Sequence, residues 1–493
     1  TSFREGVKKY VEWVRGSTRP PDPIPGKQPS LNGNEHAAGA LLSGAARAEE
    51  RPPRVLVLTA DIGEGHDLPA RIIKADLEEE VPGAEVEIAN GLDAMGKICA
   101  AVLRNGSRVT FRWMPWLFDI QYWLITKFAP ARWLFHHVGY LVGGRGLSKL
   151  IAERDPDTVI STYPGVTAVL GMLRENRRLD IPVQSAITDL AGLRYWAHPG
   201  VDLHYVTHPE SIEEVEKLVG PGTVEWVRPP ISREFLMPRT RRDAREALGV
   251  PTHARVVLVS GGGWGIGDLE GAIRSALAGD DTLVVCITGR NEIAREKLEK
   301  GFGENEQVRI LGFTEQMSDW MAAADAMIHA TAGLTVLEAH IRGCPVVSYG
   351  FNAGHLRANN AAFERFGLAE VARSDHELES VLRHVTRERQ SPDSSFASLP
   401  SIASRALSVR PQVRPQPVWR LRTARVVTAA AVTVLLLVMV LAAVQRESPW
   451  HEIAKPFNGR IHIGKDNDNP VVSQAQPAPA ATASEEAAAA PAP

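Results

Sequence analysis

The sequence predicts an α/β protein built from two facing, doubly wound, Rossmann-like domains, followed by one C-terminal transmembrane helix. Three observations predict this. Short apolar runs of buried-strand type alternate with helical stretches along most of the chain, the pattern of a parallel sheet covered on both faces. The succession strand, glycine loop, helix opens the first structured unit at Arg54 and restarts at Ala254. Finally, 426–444 is an uncharged run long enough to cross a bilayer.

The chain has 493 residues, room for two to three domains, and its 44% hydrophobic and 23% charged residues are those of a globular protein. A net charge of −3 argues against a nucleic-acid partner captured by overall charge. The three cysteines, Cys99, Cys286 and Cys344, sit in apolar runs and give neither a metal spacing nor a disulfide framework. The main body is therefore expected to be cytosolic. Residues 1–50 are rich in Pro, Gly, Ala and charge, read as no secretory leader, and are expected to be disordered.

The first domain is expected over 51–235. Its opening strand, Arg54 to Thr59 (RVLVLT), runs into Ala60-Asp-Ile-Gly-Glu-Gly-His66, and a helix comes next from about Leu68 to Glu80. Gly63 and Gly65 would let backbone approach a ligand closely. His66 stands where this loop becomes the helix, and spacing alone leaves it either structural or catalytic. The stretch 111–140 holds Trp113, Trp116, Trp123 and Trp133 with Arg112, Lys127 and Arg132 interleaved. Charge and proline interrupt it too often for a membrane span. Aromatic and basic residues together suit a membrane interface, and an aromatic helix pair packed on the sheet fits the same pattern. Further strands are expected at Thr158 to Thr162, at Val183 to Thr188 leading into Asp189, at Leu203 to Thr207 and at Val224 to Val227.

The second domain is expected over 236–389. Ala254 to Ser260 is a strand, Gly261, Gly262 and Gly263 begin a glycine loop that reaches Gly267, and Asp268 caps a helix to Leu277. The loop has neither the Walker ending nor the dinucleotide spacing, yet its backbone amides suit a diphosphate. Two more strands are expected at Thr282 to Thr288 and Val308 to Leu311.

The most informative stretch is 327–360. An apolar run, Ala326 to His329, ends in the turn Ala330 to Gly333, a helix covers Leu334 to Ile341, and Pro345 to Tyr349 is a second strand before a polar loop. Thr331, Ala332 and Gly333 present backbone N–H groups at a helix N-terminus, where a phosphate is well held. Glu338, one turn in, could accept two ribose hydroxyls, although an ordinary crossover with a solvated Glu has the same pattern.

Beyond Gln390 the chain turns Ser/Pro/Arg-rich, and 390–425 is expected to be a flexible basic linker. At about 1.5 Å per residue, 426–444 just spans a ~30 Å hydrocarbon core. Six arginines precede it, from Arg405 to Arg425, which leaves the N-terminal body in the cytoplasm and the low-complexity tail 445–493 outside.

Taken together, Thr59 to His66, Ser161-Thr-Tyr-Pro164, Thr188-Asp189, Gly261 to Gly263, Gly312-Phe313, Thr331 to Ala339 and Arg342-Gly-Cys-Pro345 resemble the monogalactosyldiacylglycerol synthase family. More distantly they are similar to the lipid-linked N-acetylglucosaminyl transferase of peptidoglycan synthesis. Both are inverting glycosyltransferases of the GT-B fold, and the resemblance covers about 54–372. It implies a UDP-sugar on the second domain, a membrane lipid acceptor such as diacylglycerol on the first, and no cofactor or metal. His66 would be the base, with Gly63, Gly65, Asp189, Trp113, Trp116 and Trp123 on the acceptor side. Gly261 to Gly263 and Thr331 to Gly333 would cradle the diphosphate, Glu338 the ribose, Phe313 the uracil, and Asn352, His355 and Asn359 the sugar or phosphate. Glu64, Asp67 and the loop Asn352-Ala-Gly-His355 depart from the family pattern. The readings left beside glycosyl transfer are a UDP-sugar epimerase on the same fold and a non-catalytic nucleotide-sugar-binding membrane module.

Overall fold

The computed structural model describes residues 51–412 except 62–63, 98, 102, 104–114, 280, 331–332, 351–353 and 388–389. The expected disordered segment 1–50, the membrane span 426–444 and the tail 445–493 lie outside the described residues, and among the described ones no helix is long and apolar enough to cross a membrane.

Among the described residues twelve strands form two six-stranded sheets. The first contains β1 (Arg54–Thr59), β2 (Glu85–Asn90), β3 (Thr158–Ser161), β4 (Val183–Ala186), β5 (Leu203–Val206) and β6 (Val224–Trp226), in the order β2-β1-β3-β4-β5-β6. The second contains β7 (Arg255–Ser260), β8 (Thr282–Ile287), β9 (Val308–Leu311), β10 (Ala326–His329), β11 (Val346–Ser348) and β12 (Glu370–Val371), in the order β12-β11-β10-β7-β8-β9. All pairings are parallel, with Leu58 opposite Ser161 in the first sheet and Ser260 opposite His329 in the second. Parallel strands buried on both faces read as continuous apolar runs, and RVLVLT and RVVLVS are buried from their second residue onward.

In each sheet the strand order reverses beside the opening strand, at β1/β3 and at β7/β10. Loops diverge there at the carboxyl ends of the strands and leave a crevice, the place where open α/β sheets bind ligands. Among the described residues, those singled out in the sequence lie at these two points: Ala60, Asp61, Gly65 and His66 after β1, Thr162 and Tyr163 after β3, Gly261–Gly267 after β7, and Ala330 and Gly333 after β10.

Helix α1 (Glu64–Glu80) begins four residues before the expected Leu68. Pro69 stands in the second turn, where a proline removes a helical hydrogen bond. Its missing N–H would have bonded the Gly65 carbonyl, and Thr188 Oγ1 reaches that oxygen at 3.5 Å instead. Asp67, a departure from the family pattern, takes Thr59 Oγ1 at 3.2 Å and lies 3.8 Å from Arg71, an acid in the first turn where the helix dipole favours it.

The aromatic stretch forms α2 (Pro115–Lys127) and the start of α3 (Ala129–Arg154). The expectation of a helix pair packed on the domain holds for part of it. Ile125, Thr126 and His136 are buried against the domain, while Ile120, Trp123, Phe128 and Trp133 are exposed. Next comes α4 (Pro164–Glu175), buried over most of its length, whose Val166 and Leu170 pack with Leu56 and Leu58 of β1. In the second domain lie α5 (Leu269–Leu277), α6 (Leu334–Ile341) and α7 (His355–Phe366). A polar loop was expected after Tyr349. From His355 on the chain is helical instead, because Leu356, Asn359, Asn360 and Phe363 recur at helical spacing and are buried.

One expectation is corrected outright. The segment 390–425 is not a free linker as far as it is described. Leu399 is buried, and α8 (Ile402–Ala406) packs Ile402, Ala403 and Ala406 with Ala70, Ile73 and Leu77 of α1. The strap is then stitched to the first sheet by polar bonds. Arg228 N donates to Pro400 O at 2.9 Å, Gln184 Nε2 to Ala406 O at 2.8 Å, and Gln412 N to Asp202 Oδ1 at 2.7 Å, while Arg405 clasps Glu225. The Ser/Pro/Arg composition concealed a short apolar stripe that closes the outer face of α1.

Candidate functional site

His66 lies in the first turn of α1 at the mouth of the first crevice. Its Nδ1 is 2.9 Å from the Thr162 carbonyl oxygen. A carbonyl can only accept, so Nδ1 carries the proton and Nε2 keeps its lone pair. The ring is framed edge-on by Tyr163 at 5.1 Å and by Trp196 at 5.5 Å between centroids. Its pKa is lowered, chiefly by burial and further by the neighbouring His355, against the pull of Asp189, the Thr162 carbonyl and Asp67. The group is thus neutral at neutral pH, a base with its acceptor atom free, while Asp189 is near enough to steady the imidazolium formed on proton uptake.

Asp189 is held by two donors. Trp196 Nε1 donates to its Oδ2 at 2.9 Å, and Asn359 Nδ2 to its Oδ1 at 3.3 Å. Asn359 belongs to α7 of the second domain, and its Oδ1 also accepts from Leu190 N at 2.9 Å while its Nδ2 donates to His355 O at 2.9 Å. The amide is fully buried and engaged, so Asn359 is a bolt between the domains. His355, the first residue of α7, is brought to the His66 side of the crevice.

Across from His66 stands the N-terminus of α6. Gly333 has φ +84, a backbone that L side chains rarely adopt, and a Cβ there would come 3.3 Å from the Thr188 carbonyl of the first domain. Among the described residues no side chain caps this helix. Its first amides are left for an anion, and they meet the helix dipole's positive end. Thr331 and Ala332 lie outside the described residues. Glu338 is buried within α6, and burial, with Glu234 nearby, pushes its carboxyl up to about 7. Among the described residues it is not the solvated helix acid of the bland alternative.

The glycine loop after β7 is a tight turn. Gly262 N donates to Ser260 Oγ at 3.2 Å, Arg290 N to Gly263 O at 2.9 Å, and a Cβ on Gly261 would collide with the backbone of Ile266. Gly262 and Gly263 are half-exposed, and Asp268 caps α5 through Gly271 N at 2.9 Å, as expected. Phe313 is 55% exposed, with the Arg290 guanidinium 4.5 Å from its ring centre, so one ring face remains for a flat partner.

The acceptor-side residues divide. Gly65 is exposed with open space at its Cα, and Trp123 is 57% exposed on α2. Gly63, Trp113 and the Asn352 loop lie outside the described residues, as does the side chain of Trp116. Sequence reading gave no site role to the framing residues Tyr163 and Trp196 or to the interdomain acid Asp119. The first two stand close behind the expected strand ends, which was a usable signal; Asp119 had none.

Residues 66–230 match the family described as monogalactosyldiacylglycerol (MGDG) synthase, and 264–363 match the glycosyl transferases group 1. The processive diacylglycerol β-glucosyltransferases of Staphylococcus aureus strains Newman and MRSA252 are each 28% identical over 247 residues, 49% of this chain and 63% of theirs. The chain thus spans less than two thirds of the length of these curated relatives. Among solved structures, the Acinetobacter baumannii MurG chain covers 72% of this one and 97% of its own at 15% identity and a TM-score of 0.45, a likeness too loose to carry an argument. The family resemblance read in the motifs is thus to the same glycosyltransferases that these matches find.

Proposed function

We propose that the protein is an inverting glycosyltransferase that moves a hexose from a UDP-sugar to a membrane lipid such as diacylglycerol. The observation that carries this reading is one crevice holding both halves of the reaction. His66 offers a bare Nε2 from the first domain, and the uncapped α6 with its buried Glu338 faces it from the second. The relatives' names support a diacylglycerol acceptor.

In the proposed step the acceptor hydroxyl oxygen bonds the anomeric carbon as its proton passes to His66 Nε2. The bond from that carbon to the β-phosphate oxygen breaks on the opposite face, which inverts the centre. UDP leaves with the electron pair, and the amides at the start of α6 and in the Gly261–Gly263 loop stabilise its new charge. The Glu338 carboxylate accepts the ribose hydroxyls, and Phe313 stacks on uracil. In this reading 51–235 is the acceptor domain and 236–389 the donor domain.

The same reading sets the protein on a membrane. Exposed Ile120, Trp123, Phe128 and Trp133, beside Lys127 and Arg132, suit the bilayer interface. The run 426–444 serves as a single span with the body cytoplasmic, and the 13 residues from 413 to 425 reach at most about 45 Å. The test is mass spectrometry of lipids after incubation with a panel of UDP-sugars and diacylglycerol vesicles. A hexosyl-diacylglycerol is expected, lost in His66→Ala while UDP still binds. An epimerised UDP-sugar with no glycolipid, or undiminished turnover in the variant, overturns the reading.

A further inference from the structure

Helix α2 has two faces set by its spacing. Asp119, Tyr122 and Thr126 turn toward the protein, while Ile120 and Trp123 turn outward at 46% and 57% exposure. Tyr122 seats its hydroxyl over Gly192, where no side chain would fit, three residues past Asp189. Asp119, one turn earlier, crosses to the other domain. Its Oδ1 accepts from Gly354 N at the start of α7, and its Oδ2 pairs with Arg357 Nη2 at 3.0 Å. An acid at a helix N-terminus, bonded to an amide and to a guanidinium, is a charge-assisted clamp. The second crossing, from Asn359 to Asp189 and Leu190, lands on the same helix one turn on. Helix α7 also carries His355 beside His66. The outward face of α2 and the inward face of the crevice are therefore joined through one carboxylate.

We propose that Asp119 is a positioning residue that couples seating of α2 in a lipid surface to the placement of α7 against the first domain, so that the crevice assembles on the membrane that supplies the acceptor. This rests on the glycolipid-forming reading above. Asp119 touches no reacting atom; it acts through Gly354 and Arg357.

The experiment compares the full chain in non-ionic detergent with the full chain in phosphatidylglycerol vesicles containing diacylglycerol. Amide hydrogen exchange over 354–366 is read in the wild type, in Asp119→Ala and in the exchanged pair Asp119→Arg with Arg357→Asp. Vesicles are expected to slow exchange there about fivefold or more in the wild type, less than about twofold in Asp119→Ala, and again about fivefold in the exchanged pair. UDP affinity should stay within about twofold throughout, because the nucleotide lies on the second domain alone. Equal protection in the wild type and Asp119→Ala, or none in the wild type, overturns the coupling. Glycolipid formation is measured in the same samples. Its absence from the wild type sinks the glycosyltransferase reading, whereas the exchange data still judge the clamp.

Discussion

Glu338 offers the sharpest test of the donor site, because one substitution should move stability and binding in opposite directions. Burial raises its carboxyl from 4.5 to about 7. The sign comes from linkage. Below pH 4.5 the acid is protonated in both folded and unfolded chains and costs nothing. As pH rises toward 7 the unfolded chain releases the proton while the folded one keeps it, so stability falls; above 7 the penalty is constant. At 1.36 kcal/mol per unit, the gap corresponds to about 3 kcal/mol. Glu338→Gln keeps the shape without the charge. It should raise the melting temperature of the second domain at pH 8 by several degrees, with the two proteins converging toward pH 5. Binding should run the other way. A carboxylate accepting ribose hydroxyls contributes about 1.5–3 kcal/mol per bond, so UDP affinity should drop about tenfold or more at pH 8. Calorimetric melts and titrations with UDP at both pH values read the two effects, and the titration of the ligand's own phosphate is common to both proteins. Equal melting and equal affinity at pH 8 would refute the assignment of Glu338 as a destabilising group retained for the nucleotide.

Three further outcomes are expected. Because burial holds His66 below its ordinary range, kcat/KM should rise with pH on the acid side through a value under 6.5 and then level off; a limb centred above 6.5 would remove His66 as the base. Gly333→Ala should cost about 1–2 kcal/mol for the φ of +84 and weaken UDP binding as the added methyl presses on the Thr188 carbonyl, and unchanged melting and affinity would contradict this. Trp123→Ser removes an exposed side chain whose transfer into lipid is worth about 1.5–3 kcal/mol, so KM for the lipid acceptor should rise about tenfold or more with UDP affinity unaltered; an unchanged KM would take Trp123 off the interface.

Apart from the two-residue β12, the strands of both sheets were legible because a parallel sheet needs continuous apolar runs, and β9, β10, α5 and α6 begin and end where pattern placed them. The loops at the two switch points came with the strands. The hidden part was long-range. Asn359 entered as a ligand through the resemblance alone, and nothing in the sequence hints that its amide engages a strand end 170 residues away. Asp119 carries no mark in the sequence, and only the packed structure brings it to Gly354. The strap 399–412 escaped because composition outweighed Ile402, Ala403 and Ala406, three small or branched residues whose partner surface on α1 is more than 300 positions earlier. Pattern reports what a segment can bury, not what buries it.

That strap has a mechanical consequence. The chain leaves the described body stitched to the first sheet, so any pull transmitted through the residues beyond Gln412 falls on the half that would hold the lipid. The other half meets it through the backbone near 228–240 and 390–399 and through the α7 crossings to Asp119, Asp189 and Leu190. Under the proposed function those crossings would have to open for the donor half to rock and exchange its nucleotide while its neighbour stays on the bilayer, much as a jaw works against a fixed skull.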